Sequence, residues 1–578
     1  MGRCLFLLII CALALQCAAE GDQMQLTFKD EFTRLLPEKV AGILQGQDSE
    51  TGRFGKGVFC VTDKNVVFPL AVAWSLESKD NPYYHDAKLL EAIMAGGDAL
   101  ISDADASGQW VFRKKDGSTW GNIYMPWTYS RWVRAYGLIR DAMPPDRRKR
   151  WEDALILGYT GISKTALTRL VNIPTHHAMG LYIAGQLFNK PEWCEQAKGF
   201  MGRVAGAQDP GGFWTEHYGP VVMYNFVYTD ALGVYYSVSK DKTVLPTLER
   251  AAKFHSAMTY PDGSSVETVD ERNPYHTGLS MGNVGFTFTP EGRGRLAQQI
   301  ELHKSRGGGF DAEMMASFIL YGEEGPAVPT QAMKGDSTWT SGDDKALIRR
   351  SGKWFVCLSA YHCPVTTNRW IQDRQNLVSI FHDRTGLILG GGNTKLQPLW
   401  SNFTVGDVSL LQRKTGEIAP NFTPPDSLFH IPSAVALERA DPVGLLLDYG
   451  QERCEITVDP VDDSTMSIHL KATTDSGQPV AAHLTLFPHM GKSLKTECGV
   501  EKMLNGDTFA LSGKEIGTWI EHAGWRLTVP DNATVAWPVL PHNPYVKDGA
   551  AKPSEGRIVV TLPFSREKQE YVLTLTVI

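Results

Sequence analysis

Two short stretches of the chain concentrate groups able to move protons. In "GGFWTEHYGPVVMYNFVYTDALG", residues 211–233, a Gly-rich turn is followed by Trp214, Glu216, His217, Tyr218, Tyr224, Asn225 and Tyr228. Tyr224 and Tyr228 are four apart and share one helical face, with His217 in the loop just before. A phenol beside positive charge can accept or deliver a proton, and an imidazole can do either near neutral pH. An aromatic-rich inner helix would show the same residues. In "RLVNIPTHHAMGLYIAG", residues 169–185, Pro174 is expected to stop any preceding helix and Thr175 to N-cap a new one. His176 and His177 would then occupy the first turn, where the helix dipole and free N–H groups favour neutral imidazoles and a nearby anion. The alternative leaves one histidine in the core and the other capping or solvated. A third cluster, residues 108–137, holds Trp110, Trp120, Trp127, Tyr129, Arg131 and Arg134. Aromatic faces stack on sugar rings and arginine grips carboxylates in a bidentate fork.

These groups need a scaffold, and the chain is long enough for two large domains. It has 578 residues, 43% hydrophobic, with 15 Trp, 19 Tyr and 24 Phe. From about residue 80 to 320 the apolar residues recur at spacings of three and four, in segments separated by Gly, Pro and Asp. Helical hairpins in that number can form a bundle, a solenoid or a closed α/α toroid. Residues 322–344 are polar and rich in Gly, Pro and Ser. Beyond them the period changes to two, as in "KWFVCLSAYH", "STMSIHLKATT" and "YVLTLTVI", which predicts an antiparallel β-sandwich.

The first residues, "MGRCLFLLIICALALQCAAEG", read as a secretory signal peptide cut near Ala19. Secretion or a periplasmic location is expected; Gln16-Cys17 offers only a poor lipoprotein site, because Gln before the Cys is unusual. No later segment has the length and apolarity of a membrane span. The net charge of −7 supplies no global positive field for nucleic acid, so an anionic substrate must be met by local basic groups. Six cysteines follow the expected cleavage point, with Cys357 and Cys363 the nearest candidate disulfide pair, although buried thiols fit equally well. No metal-ligand set stands out. No cofactor is called for, which leaves room only for a structural divalent cation.

Taken together, the chain resembles the polysaccharide lyases built from an α/α toroid and a β-sandwich, the hyaluronate, chondroitin and heparinase II/III-like group. "THHAMGLYIAGQLF" resembles the helix that carries their Asn-His pair, with His176 where Asn is usual and His177 where His is. "EHYGPVVMYNFVYTDALG" resembles their His-to-Tyr segment, with His217 as the histidine, Tyr228 as the tyrosine and Tyr224 a second aromatic one turn earlier. "NRWIQDRQNLVSIFHDRTGLILGGG" resembles the sandwich entrance, but offers Arg369, Trp370, Asp373, Arg374, Gln375 and Asn376 in place of a His-x-His-x-Asp pattern. The resemblance implies an incomplete barrel of helical hairpins over residues 20–325, a linker at 326–344 and a sandwich at 345–578. It implies β-elimination on a uronic-acid polysaccharide or oligosaccharide. His217 and Tyr228 would move protons, with His176 and His177 also catalytic. Asn172, Tyr224, Trp127, Arg131, Glu216 and Arg374 would bind substrate. Two other classes stay open: a toroid glycoside hydrolase using two of Glu216, Asp230, Glu267 and Asp270, and a non-catalytic glycan-binding protein.

Overall fold

The computed structural model describes residues 24–55, 66–113, 118–414 and 416–578. The expected signal peptide and Cys60 lie outside the described residues. The helical half forms two concentric layers. An inner ring is made by α2 (Val67–Ser75), α4 (Pro126–Ile139), α6 (Asn172–Leu187), α8 (Val222–Ser239) and α11 (Ala312–Tyr321), each packed on the next, with α11 returning to α2. Outside it lie α1 (Lys29–Gln45), α3 (Ala87–Asp103), α5 (Pro145–Thr165), α7 (Pro191–Gly206), α9 (Leu245–Ala257) and α10 (Pro290–Ser305).

The sequences explain which layer each helix takes. In α2 every residue from Val67 to Trp74 is buried, as befits a helix that is apolar all round. By contrast α5 buries one stripe, Trp151, Leu155, Tyr159 and Ile162, and presents its charges to water. From α2 to α8 outer helices carry the chain back, so the inner helices run in one direction and their N-termini meet at one rim.

The β half is two antiparallel sheets. One contains ten strands, running from Phe509–Ser512 through Thr534–Val539, Arg557–Phe564, Val480–Leu486, Gly386–Leu389, Val378–His382, Trp354–Ser359 and Ala346–Ser351 to Ser337–Thr340, with Phe403–Val405 also on Val480–Leu486. The other has nine, with Glu452–Pro460, Thr465–Ala472 and Glu570–Val577 at its centre. The expected period of two is present, and it sorts one sheet between two cores. Along Trp354–Ser359, residues Trp354, Val356 and Leu358 join the core between the sheets. Phe355 and Cys357 point the other way, onto Phe213, Phe254 and Tyr260 of the helical half. Both faces of this sheet are therefore covered.

One local expectation needs revision, and one left open is decided. Ser337–Thr340 lies inside the stretch expected to be linker, yet it is a strand, with Ser337 opposite Arg350 and Thr340 opposite Leu347. Its polar residues belong to a sheet edge, where polar composition is tolerated. Cys357 and Cys363 are free thiols, both buried. Cys357 faces the helical half, and the Cys363 sulfur lies 3.8 Å from the Gln372 carbonyl.

Candidate active site

The rim formed by the inner helices faces the sandwich. Asn172, the first residue of α6, and Tyr228, in the second turn of α8, converge there on one carboxylate. Glu216 Oε1 accepts from Asn172 Nδ2 at 3.4 Å and from the Tyr228 hydroxyl at 3.3 Å. Tyr228 is fully buried, and its ring stacks on Trp214 with centroids 4.7 Å apart and planes 4° from parallel. Burial and the neighbouring Glu216 raise the Tyr228 phenol far above its ordinary value. Burial likewise pushes the Glu216 carboxyl up, against the bond from Tyr228.

His217 is exposed on one side and anchored on the other. Its Nδ1 lies 2.6 Å from Glu271 Oε1, so Nδ1 carries the proton and Nε2 is the nitrogen left for chemistry. The second Glu271 oxygen accepts from the Tyr218 backbone N–H at 3.0 Å and faces Arg374 Nη2 at 3.5 Å. Glu271 is 1% exposed. Arg374 is fully buried, and donates through Nη1 to the Val269 carbonyl at 2.8 Å. The guanidinium fits because residue 219 is glycine with φ +154°; a Cβ there would lie 2.5 Å from Arg374 Nη2. Arg374 therefore sits behind Glu271, supporting it, with no exposed surface of its own.

Tyr224 is half-buried. The Arg272 guanidinium lies 4.9 Å above its ring, and also 5.6 Å from the Trp370 centroid and 5.9 Å from that of Tyr545. Arg272 Nε donates to the Tyr545 hydroxyl at 3.0 Å. Burial raises the Tyr224 phenol, and Arg272 is the chief influence pulling it back down. Trp370 and Tyr545 belong to the sandwich half, so this cluster spans both halves of the molecule.

The histidines expected in a first turn are one turn deeper. Helix α6 begins at Asn172, because Pro174 falls within its first turn, where no backbone N–H is needed. Thr175 does not cap; its hydroxyl donates back to the Val171 carbonyl at 2.9 Å. His176 and His177 are 2% and 3% exposed, away from the free N–H groups. His176 Nε2 contacts Ser130 Oγ at 2.9 Å, its Nδ1 lies 3.9 Å from Asp230, and its ring is 5.7 Å from that of Trp127. Burial, then Arg131 and Arg134, hold its pKa well below the usual histidine value. Burial also lowers His177, to about 4. Asp230 is raised to about 6, by burial and then by Glu313. Arg131 and Arg134 in turn approach Glu313 at 3.4 and 3.5 Å.

Thus Asn172, Glu216, His217, Tyr224 and Tyr228 come together. His176, Trp127 and Arg131 belong to a second cluster with Asp230 and Glu313, and His177 stands beside it on α6. Glu271, Arg272 and Tyr545 were not singled out from sequence. The only local signal was "VDERNPY", a charged run closed by a proline, between apolar segments. Among the described residues no group of three or more His, Cys, Asp or Glu could hold a metal ion. No helix among them is long and apolar enough to cross a membrane.

No protein-family profile and no curated protein sequence matches the chain. Solved structures do. A heparinase III crystal structure matches with a TM-score of 0.50 at 11% identity, over 89% of this chain and 76% of that one. A further heparinase III gene product matches with 0.51 at 10% identity, over 96% and 94%. A xanthan lyase from Paenibacillus gives 0.51 at 10% identity, over 95% of this chain and 57% of its own. The chain thus has the helical-toroid and β-sandwich fold of these polysaccharide lyase structures.

Proposed function

We propose that the protein is a polysaccharide lyase that cleaves a uronic-acid-containing polysaccharide by β-elimination. The observation that carries this reading is the His217–Glu271 pair, set beside a tyrosine under a guanidinium at the toroid rim. Elimination removes the proton at C5 of the uronate and breaks the bond from C4 to the bridging oxygen. The C5–H electron pair becomes the C4–C5 double bond, and the departing oxygen takes a proton. C5–H is weakly acidic because the adjacent carboxylate is already negative, so that carboxylate needs donors around it. Asn172 and Tyr228 are the two donors that meet at one point.

His217 suits the base, because Glu271 fixes its tautomer and leaves Nε2 able to accept a proton. Tyr224 suits the acid. It is less buried than Tyr228, and Arg272 stabilises the phenolate left when the leaving oxygen is protonated. This assignment moves the proton-carrying tyrosine one turn from Tyr228, which is committed to Trp214 and Glu216. Two of the four carboxylates suggested for a hydrolase are otherwise occupied. Glu267 accepts from the Tyr260 hydroxyl and the Gly391 N–H at the interface between the halves. Asp270 accepts from the backbone N–H groups of Val222, Arg272 and Asn273.

The test is a panel of uronate polysaccharides read by ultraviolet absorbance and product mass. Elimination gives an unsaturated, absorbing product. Products heavier by one water, without the chromophore, would replace the lyase with a hydrolase.

A further inference from the structure

Glu216 and Glu271 are neighbouring carboxylates with opposite circumstances. Glu271 is saturated by His217, the Tyr218 N–H and Arg374. Glu216 makes no ion pair within 4 Å among the described residues. One of its oxygens takes both recorded side-chain bonds, from Asn172 and Tyr228, at the long distances of 3.4 and 3.3 Å. Those are the two donors that the elimination would aim at a sugar carboxylate. Burial makes the charge costly there, as the upward push on its carboxyl shows.

We propose that Glu216 is an internal competitor for the substrate's carboxylate, holding Asn172 and Tyr228 in its absence and setting the enzyme's selectivity for uronate. The proposal rests on the lyase reading, since it takes these donors to be the carboxylate seat. Two carboxylates cannot share one pair of donors without strong like-charge repulsion. Substrate therefore binds only as Glu216 swings out, which its three side-chain torsions and partial exposure permit. The turn that carries it is fixed at its ends by the Thr215–Pro220 bridge, so the side chain moves and the loop stays. A uronate with its own donors to offer would displace Glu216 more readily than one flanked by further anions, because the displaced carboxylate remains close by.

The decisive variant is Glu216→Gln, which keeps size and hydrogen-bonding atoms and removes the charge. Binding of free glucuronate and galacturonate is measured by calorimetry, and KM and kcat on the best polymer by absorbance. The variant should bind monomeric uronate about tenfold tighter or more. KM should fall in parallel, and the gain should vanish when Asn172→Ala or Tyr228→Phe is added. Glu216→Ala, which removes the contact altogether, should show the same direction. Unchanged or weaker uronate binding in both variants overturns the proposal. So does a loss of kcat beyond about a hundredfold in Glu216→Gln, which marks an acid or base. A wild-type protein that makes no unsaturated product from any uronate polymer refutes the lyase reading instead. The monomer-binding arm still reports on Glu216 in that case.

Discussion

Glu271→Gln tests the core of the proposed machinery with a nearly isosteric change. In the native protein each carboxylate oxygen has its own work: Oε1 serves His217 Nδ1, and Oε2 serves the Tyr218 N–H and Arg374. A glutamine has one acceptor oxygen, so one side must face an NH2 group. Keeping the oxygen toward Tyr218 and Arg374 satisfies two donors, which sets the amide N–H against Nδ1. The imidazole then carries its proton on Nε2, where it can no longer take the C5 proton. Loss of a positioned base costs about 10²–10⁴ in kcat, while KM changes little because Asn172 and Tyr228 still hold the carboxylate. Stability falls too. Breaking a buried pair costs about 3–5 kcal/mol, toward the lower figure here because Arg374 keeps the Val269 carbonyl at 2.8 Å. The assay is the initial rate of chromophore formation at saturating substrate, with thermal melts on the same samples. In a His217→Ala background the added Glu271→Gln should cost no further activity. Wild-type turnover in the single variant, or losses that simply multiply in the double, would refute the reasoning.

Tyr224→Phe should lower kcat by about 10²–10⁴, whereas Tyr228→Phe, losing one donor to a charged group, should lower kcat/KM by only about ten- to a hundredfold; parallel kinetics on one polymer separate them. His177 has a folded pKa of about 4 against an ordinary 6.5. It therefore contributes stability above pH 6.5 that is lost as pH falls toward 4, on the order of 3 kcal/mol in all. Urea midpoints at pH 7 and 4.5 should differ less in His177→Gln than in the wild type. Lys395→Met should destabilise by about 3–5 kcal/mol, because Asp373 is 3% exposed and its Oδ1 pairs with Lys395 at 3.0 Å. A change below 1 kcal/mol in denaturant unfolding would show that His430, 2.9 Å from the other oxygen, suffices.

The sequence showed its elements best where the pattern was long. The stripe on α5 and the alternation in Trp354–Ser359 each reflect burial, which writes itself into every third, fourth or second residue. It misplaced the start of α6, because Pro174 both ends helices and begins them, and only packing of Asn172 at the rim decides between the two. The His-to-Tyr segment was legible because its members are close in the chain. Glu271 was not. It acts on His217 from 54 residues away, and a carboxylate in a loop gives no local sign of what it will touch. Arg374 was read as a substrate arginine from its place in the stretch resembling the sandwich entrance; the glycine at 219 that lets it lie buried became meaningful only in three dimensions.

The sheet covered on both sides has a further consequence for how this protein can be divided. Phe213, Phe254 and Tyr260 from one half and Phe355, Phe381 and Leu387 from the other belong to a single apolar core. A helical half produced alone would present that patch to water, and a sandwich half alone would present its counterpart, so each would be prone to self-association. The proposed catalytic groups would also lose Trp370 and Tyr545, and with them the aromatic cage around Arg272. Neither half is then a module that can be exchanged, fused or trimmed at the 326–344 stretch without rebuilding the surface left behind. Engineering of this protein is better confined to the cleft rim, leaving the whole chain as the unit that folds.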